Sequence, residues 1–153
     1  MLGFGEKAIE LYKMINPIEH SRSKDSANKY KVEPYVIAAD VYGAKNLAGR
    51  GGWTWYTGSS SWYYKAGIEY ILGLKIRENI LSIEPCIPKD WKEYFIRYKF
   101  GESIYNIKVT NPKGRNCAEN NKVEKFIFNG TELEDKQIKL EQNGGIYNIE
   151  IVV

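Results

Sequence analysis

The period of the apolar residues changes once along this chain, and that change limits the folds it can adopt. Near the start, apolar residues recur at intervals of three and four, the period of an α-helix: Ala8, Leu11, Tyr12 and Ile15. Asn16-Pro17 is expected to end that helix. After Leu74 the period becomes two, which is typical of β-strands. The sequence therefore predicts an α+β protein, with a helical part over residues 1–75 and a β part over residues 76–153.

The β part contains several short alternating segments separated by turns. Tyr94 to Phe100 and Tyr105 to Val109 alternate on either side of a polar turn, which predicts a hairpin. Asn129-Gly130, directly after Val123 to Phe128, is a strong signal for a two-residue turn. A last strand is predicted by alternate apolar residues, Tyr147, Ile149 and Ile151. About five or six short antiparallel strands favour a small β-sandwich of the jelly-roll kind.

The helical part is predicted to contain three helices. His20 to Tyr30 is polar and charged, so we expect a connection there. The β-branched residues of Glu33 to Tyr42 allow a strand, but Pro34 and the pair Ala38-Ala39 favour a short helix with proline in its first turn. Trp62 to Leu74 is predicted to be a helix that ends at Gly73.

Composition excludes several classes of function. The net charge is +3, and the lysines are dispersed among carboxylates without a basic stripe, so nucleic acid is not an expected partner. Cys86, Cys117 and the single histidine, His20, lack the spacing of metal ligands, and no metal site is predicted. No apolar run approaches ~20 residues, so no membrane span is expected and a cytoplasmic location is the default.

Residues 49–64 combine a small, hydroxyl-rich turn with a dense set of aromatic rings. Thr57-Gly58-Ser59-Ser60 stands just before the helix predicted from Trp62. The first turn of a helix has unpaired backbone N–H groups and the positive end of the helix dipole, which favour an anion. The simpler alternative is that Ser59 or Ser60 only caps the helix.

The aromatic residues have two interpretations as well. Trp53, Trp55 and Tyr56 could form a platform on which the apolar face of a pyranose stacks, or the indoles could be buried in a core. Of Trp62, Tyr63 and Tyr64, at least one is expected to join a core, because consecutive helical residues point in different directions. Arg50 could pair with phosphate or with a nearby carboxylate.

Several segments together resemble the C-terminal end of the inverting glycoside phosphorylases. They are Glu33-Pro34-Tyr35-Val36, Gly49 to Trp62, Tyr70-Ile71-Leu72-Gly73-Leu74 and Pro85-Cys86-Ile87-Pro88-Lys89-Asp90-Trp91. That family includes cellobiose and chitobiose phosphorylases and the phosphorylase-like region of cyclic β-1,2-glucan synthases. Asn16 to Arg22 and Ala38 to Tyr42 are most similar to the branch of glucan synthases and β-1,2-oligoglucan phosphorylases.

The resemblance implies a fold and a reaction. It implies the last helices of a catalytic (α/α)6 barrel followed by a jelly-roll domain. It also implies cleavage or formation of a β-glycosidic bond with inorganic phosphate and a sugar 1-phosphate, with inversion and without a cofactor. The family's phosphate-binding Thr-Gly pair falls on Thr57 and Gly58, and Arg50, Trp53, Trp55 and Tyr56 are candidate substrate contacts.

The same resemblance assigns no catalytic residue to this chain. The family's general acid and the histidine and arginine of its phosphate site lie upstream of the point where the chain begins, and His20 is expected only to hydrogen bond locally. We therefore expect a fragment that is inactive alone, whose partners are phosphate, a β-glucan or disaccharide, the remainder of the barrel and a second copy in a homodimer. The alternatives are a noncatalytic carbohydrate-binding module and a purely structural domain.

Overall fold

A computed structural model describes residues 3–55, 57–115 and 123–153 of the chain. The helices are α1 (Gly5–Ile15), α2 (Pro17–His20), α3 (Lys24–Tyr30) and α4 (Thr57–Lys65), which continues into a π-helical segment (Ala66–Ile71). The strands are β1 (Asp40–Val41), β2 (Gly51–Gly52), β3 (Leu74–Arg77), β4 (Ile80–Ile83), β5 (Glu93–Phe100), β6 (Ser103–Thr110), β7 (Lys125–Phe128), β8 (Thr131–Glu132), β9 (Gln137–Lys139) and β10 (Ile146–Val152).

The chain divides into two compact units. Ala8–Gly67 forms the helical unit, and Ile68–Val153 with Met1–Lys7 forms the β unit. The α+β class and the mostly antiparallel sheets predicted from the sequence are confirmed. The domain limits at residues 75 and 76, and the (α/α)6 barrel, stay predictions.

The start of the helical unit follows the predicted pattern. α1 ends at Ile15, directly before Asn16-Pro17, as expected. The Asn16 side chain then accepts a hydrogen bond from the backbone N–H of Ile18 at 2.9 Å, so it caps α2, in which Pro17 is the first residue.

The predicted connection from His20 to Tyr30 is wrong, because α3 occupies most of it. Ser23 caps α3: its hydroxyl accepts from the backbone N–H of Ser26 at 3.1 Å, and its own N–H donates to the Ser26 hydroxyl at 3.0 Å. Lys31 ends the helix in the left-handed conformation at φ 55°. Only Tyr30 of α3 is buried, so the helix has no apolar stripe from which to predict it.

The short helix predicted within Glu33 to Tyr42 is also wrong. A turn closes there when the N–H of Val36 donates to the carbonyl of Glu33 at 3.1 Å. Val36 packs with Tyr30 and Val32 in the small core of the helical unit. The alternative of a strand is right for two residues, Asp40–Val41, which pair with Gly51–Gly52.

The helix predicted from Trp62 begins earlier, at Thr57. Ser59 and Ser60 therefore lie inside its first turns and do not cap it from outside. Its predicted end is confirmed, because the π-helical segment stops at Ile71 and Gly73 has a left-handed φ of 76°. A Cβ on Gly73 would collide with the backbone carbonyl of Glu84. Both this collision and the left-handed φ exclude a side chain at this position.

The β unit contains two sheets, with strand orders β5-β6-β10-β7-β8 and β3-β4-β9. The β5–β6 hairpin, the Asn129-Gly130 turn between β7 and β8 and the last strand are confirmed. The pairing of β10 with β6 is parallel, which departs from the purely antiparallel prediction. β10 enters the sheet between β6 and β7, so its neighbours are not adjacent to it in sequence.

Both sheets contribute to one hydrophobic core. Leu81 and Ile83 of β4 belong to the same buried cluster as Ile107 of β6 and Ile149 and Ile151 of β10. An arrangement in which two sheets share one core is consistent with a β-sandwich.

Candidate functional site

Two buried glycines position the chain that leads into the predicted site. Gly51 and Gly52 form β2. A Cβ on Gly51 would lie 2.5 Å from Cγ2 of Val32 and 3.0 Å from Cε2 of Tyr30. A Cβ on Gly52 would collide with the Tyr42 hydroxyl. The backbone can pass this close to the small core and to Tyr42 only because neither residue has a side chain.

Trp53 and Trp55 follow at once, and both have a left-handed backbone. Their φ angles are 52° and 67°, which are rare for bulky residues. Each residue is 65% exposed, so burial in a core does not explain either indole. The Trp53 carbonyl accepts a hydrogen bond from the N–H of Ala39 at 3.1 Å, which fixes the backbone here. Strained residues with exposed aromatic side chains are candidates for a functional site.

A third exposed aromatic side chain, that of Tyr35, lies beside Trp55. The Tyr35 ring meets Trp55 edge to face, with centroids 6.2 Å apart and planes at 68°. Tyr35 comes from the turn that replaced the predicted helix, so sequence analysis missed it as a site residue. Tyr56, also predicted to contact substrate, lies outside the described residues.

α4 begins at Thr57. The structure describes only the backbone of this residue. Gly58 is exposed, and a Cβ there would meet nothing within 4 Å. Its φ is not left-handed either. Neither packing within the described residues nor backbone conformation requires a glycine at this position, although glycine weakens a helix. A ligand that approaches the backbone closely would require one.

One aromatic residue of α4, Tyr63, is packed but only half-buried, and none of Trp62, Tyr63 and Tyr64 belongs to a core cluster of the described residues, so the prediction that one of them joins a core is not confirmed. Tyr63 stacks on Tyr12 of α1, with centroids 3.9 Å apart and planes at 10°, and its hydroxyl donates to the Tyr12 carbonyl at 3.0 Å. Burial is the main cause that raises the pKa of the Tyr63 hydroxyl, and the neighbouring Tyr12 is the second. Trp62 and Tyr64 remain exposed. The stack holds α4 against α1 and so supports the position of its first turn.

Arg50 and His20 complete the set of residues considered from the sequence. Arg50 is exposed and makes no ion pair with a carboxylate of the described residues, while its carbonyl accepts from the N–H of Tyr42 at 2.9 Å. His20 Nε2 hydrogen bonds to the Met14 carbonyl at 2.8 Å, and its ring stacks on Tyr30. The local role predicted for His20 is confirmed.

Other site chemistry is limited in the part of the chain that the structure describes. There, no three histidine, cysteine, aspartate or glutamate residues are grouped as metal ligands would be. No described helix is long and apolar enough to cross a membrane. Cys86 is buried with a free thiol, and Cys117 lies outside the described residues.

Comparison with known proteins gives a consistent set of similarities. Residues 1–73 match the family model "Glycosyl hydrolase 94 superfamily, catalytic domain". The chain is 47% identical over 105 residues to a cyclic beta-(1,2)-glucan synthase of Rhizobium meliloti, a match that covers 69% of this chain. It is 35% identical over 112 residues to an N,N'-diacetylchitobiose phosphorylase of Vibrio proteolyticus, covering 72% of this chain.

A more distant similarity extends over almost all of the sequence. The chain is 25% identical over 150 residues, 97% of its length, to a solabiose phosphorylase of Paenibacillus borealis. These matches span only 4%, 14% and 19% of the three relatives. The sequence therefore corresponds to a small part of each of them.

Proposed function

The chain belongs to the glycosyl hydrolase 94 family, and on that premise we propose that it is part of an enzyme that cleaves or forms β-glucosidic bonds with inorganic phosphate and sugar 1-phosphate. The relatives named as phosphorylases and as a glucan synthase support this class of reaction. In it, phosphate attacks the anomeric carbon, the glycosidic oxygen leaves with a proton from a general acid, and the configuration inverts. We assign no general acid among these residues.

The role proposed for this chain is to hold phosphate at the amino end of α4. Backbone N–H groups of the first turn would donate to phosphate oxygens, and the helix dipole would stabilise their charge. The observation that carries the proposal is the open space around Gly58, where neither packing nor backbone conformation requires a glycine. We propose Thr57 as the hydroxyl donor and Arg50 as a cation beside the ligand.

The sugar would lie against the exposed aromatic side chains that precede α4. Trp53 and Trp55 present indole faces on a strained backbone, and Tyr35 meets Trp55 at its edge. A pyranose ring can stack its apolar C–H face on such a surface. We further propose that α1 to α4 are terminal barrel helices whose exposed apolar residues are covered by the remainder of the barrel: Leu11, Met14, Ile15 and Ile18.

The phosphate site can be tested by NMR titration of the chain with inorganic phosphate. We expect shifts concentrated at the backbone amides of Gly58, Ser59 and Ser60. Thr57→Val should weaken the response about tenfold, because a hydrogen bond to a charged group is lost. Gly58→Ala should also weaken it while stabilising α4 by up to about 1 kcal/mol.

The matched control is Thr131→Val, the same chemical change on the exposed strand β8. It should leave the phosphate response unchanged. Phosphate shifts that are absent from α4, or that persist undiminished in both α4 variants, would remove the site assignment.

A noncatalytic carbohydrate-binding module is the second candidate. The exposure of Trp53 and Trp55 favours it, because sugar binding to such a platform needs no phosphate. It predicts no shifts at α4 in the same phosphate titration, so that experiment separates the two functions.

A further inference from the structure

The β unit has a surface of mixed polar and apolar groups that the proposed function does not use. A surface cavity of about 310 Å³ lies on one face of the sheet formed by β5, β6 and β10. Its volume is at the lower end of the range typical of small-molecule sites. Six polar or aromatic side chains line it: Phe95, Arg97, Asn106, Lys108, Asn148 and Glu150. We call this set the outer sheet face.

The register of the strands explains why these six residues meet. Arg97 pairs with Asn106, and Asn106 with Asn148, so the three form one row across the sheet. Phe95, Lys108 and Glu150 form the next row. Successive side chains on a strand point to opposite faces, and the intervening residues Ile107 and Ile149 are buried in the core. The outer sheet face therefore points away from that core.

The polar groups of this face are only partly paired with each other. The Asn106 amide donates to Oδ1 of Asn148 at 3.3 Å, and Lys108 lies 3.2 Å from a Glu93 carboxylate oxygen. Among the described residues, neither Arg97 nor Glu150 makes an ion pair. Each row thus presents donors and acceptors that a ligand could use.

Phe95 is the apolar element of the surface. It is 67% exposed, although it lies within a regular strand. The ammonium group of Lys108 lies 5.3 Å from the ring centroid, which orients the ring without covering it. An exposed phenyl ring beside amide, guanidinium and carboxylate groups matches a pyranose, which has an apolar face and a rim of hydroxyls.

The charges decide which class of ligand fits. Within the outer sheet face Arg97 and Lys108 are opposed by Glu150, and Glu93 pairs with Lys108 from just outside it, so these four charges sum to zero and do not favour phosphate or another anion. We propose that the outer sheet face binds a neutral oligosaccharide, with one sugar ring stacked on Phe95 and its hydroxyls bonded to Arg97, Asn148 and Glu150. This surface would hold a glucan chain on the β unit. Only the choice of a β-glucan as the probe rests on the proposed function.

The test is an NMR titration of the chain with β-1,2-linked and β-1,4-linked gluco-oligosaccharides. We expect shifts at the amides of Phe95, Arg97, Asn106 and Asn148. Phe95→Ala should weaken binding by about tenfold, whereas Phe95→Tyr should preserve it, because a stacking ring remains. Arg97→Ala is a second variant. It removes the hydrogen bonds proposed between Arg97 and the sugar hydroxyls without removing a packed side chain.

Phe4→Ala is the matched control, since Phe4 is a phenylalanine with a similar exposure of 62%. It should leave sugar binding unchanged. Sugar shifts confined to Trp53 and Trp55, or an affinity that both Phe95→Ala and Arg97→Ala leave intact, would overturn the proposal. The absence of any sugar-induced shift would overturn it too. None of these outcomes affects the phosphate titration of α4, so the two proposals can fail separately.

Discussion

At the scale of single residues, Gly51 shows how packing in the helical unit determines the site. Gly51→Ala would place a methyl group 2.5 Å from Val32 and 3.0 Å from Tyr30, in a core too small to absorb it. We expect a loss of about 1–3 kcal/mol in the free energy of unfolding. Urea unfolding followed by tryptophan fluorescence would measure it.

Gly43→Ala is the matched control for that substitution. A Cβ on Gly43 would meet nothing within 4 Å, and its φ is not left-handed. The variant should be as stable as the parent or slightly more stable, because alanine restricts the unfolded chain. Equal stability of the Gly51 and Gly43 variants would contradict the packing argument.

Most residues of the candidate site could be predicted from the sequence. Their backbone conformation and their contacts with each other could not. The block from Gly49 to Tyr64 indicated an anion-binding turn beside aromatic rings. The left-handed backbone at Trp53 and Trp55 was not predictable, because positive φ angles are rare for bulky residues and no local pattern in the sequence indicates them. Tyr35 was missed because its contact with Trp55 joins residues twenty positions apart, which alternation and spacing do not reveal.

At the scale of secondary structure elements, α3 depends on its cap more than on its packing. It has seven residues and buries only Tyr30, so it is too short to be stable alone. Ser23→Ala removes the hydroxyl that accepts from Ser26 and should cost about 1 kcal/mol. Chemical denaturation would measure the loss, and hydrogen exchange would locate it in Lys24–Tyr30.

Ser61→Ala provides the comparison, since Ser61 is exposed inside α4 and alanine favours a helix interior. It should not reduce stability. A Ser23→Ala protein that unfolds at the same urea concentration as the parent, with unchanged exchange in α3, would show that the cap contributes little.

Strands were predictable where alternation was clear, but their neighbours were not. The last strand was expected from Tyr147, Ile149 and Ile151, and β10 is found there. Alternation of apolar residues predicts which side chains face the core. It does not predict which strands pair with each other. The parallel pairing with β6 arises because β10 enters between β6 and β7, and it was therefore missed.

At the scale of the whole molecule, three tyrosines link stability to alkaline pH in both units. Burial is the first cause that raises the pKa of Tyr30 and Tyr63 in the helical unit and of Tyr105 in the β unit. A raised pKa means that the folded state favours the neutral phenol. The resulting stabilisation is fully present below the unfolded pKa of about 10 and is lost as the pH rises towards the folded value.

We therefore expect the free energy of unfolding to fall above about pH 10, as these phenols are forced to ionise. Absorbance of tyrosinate at alkaline pH should show Tyr30, Tyr63 and Tyr105 ionising at higher pH in the native protein than in urea. Tyr63→Phe removes one late-titrating phenol along with its hydrogen bond to Tyr12 and should make the fall less steep. Native and unfolded titration curves that coincide would contradict the burial of these hydroxyls, and with it the stack that holds α4 against α1.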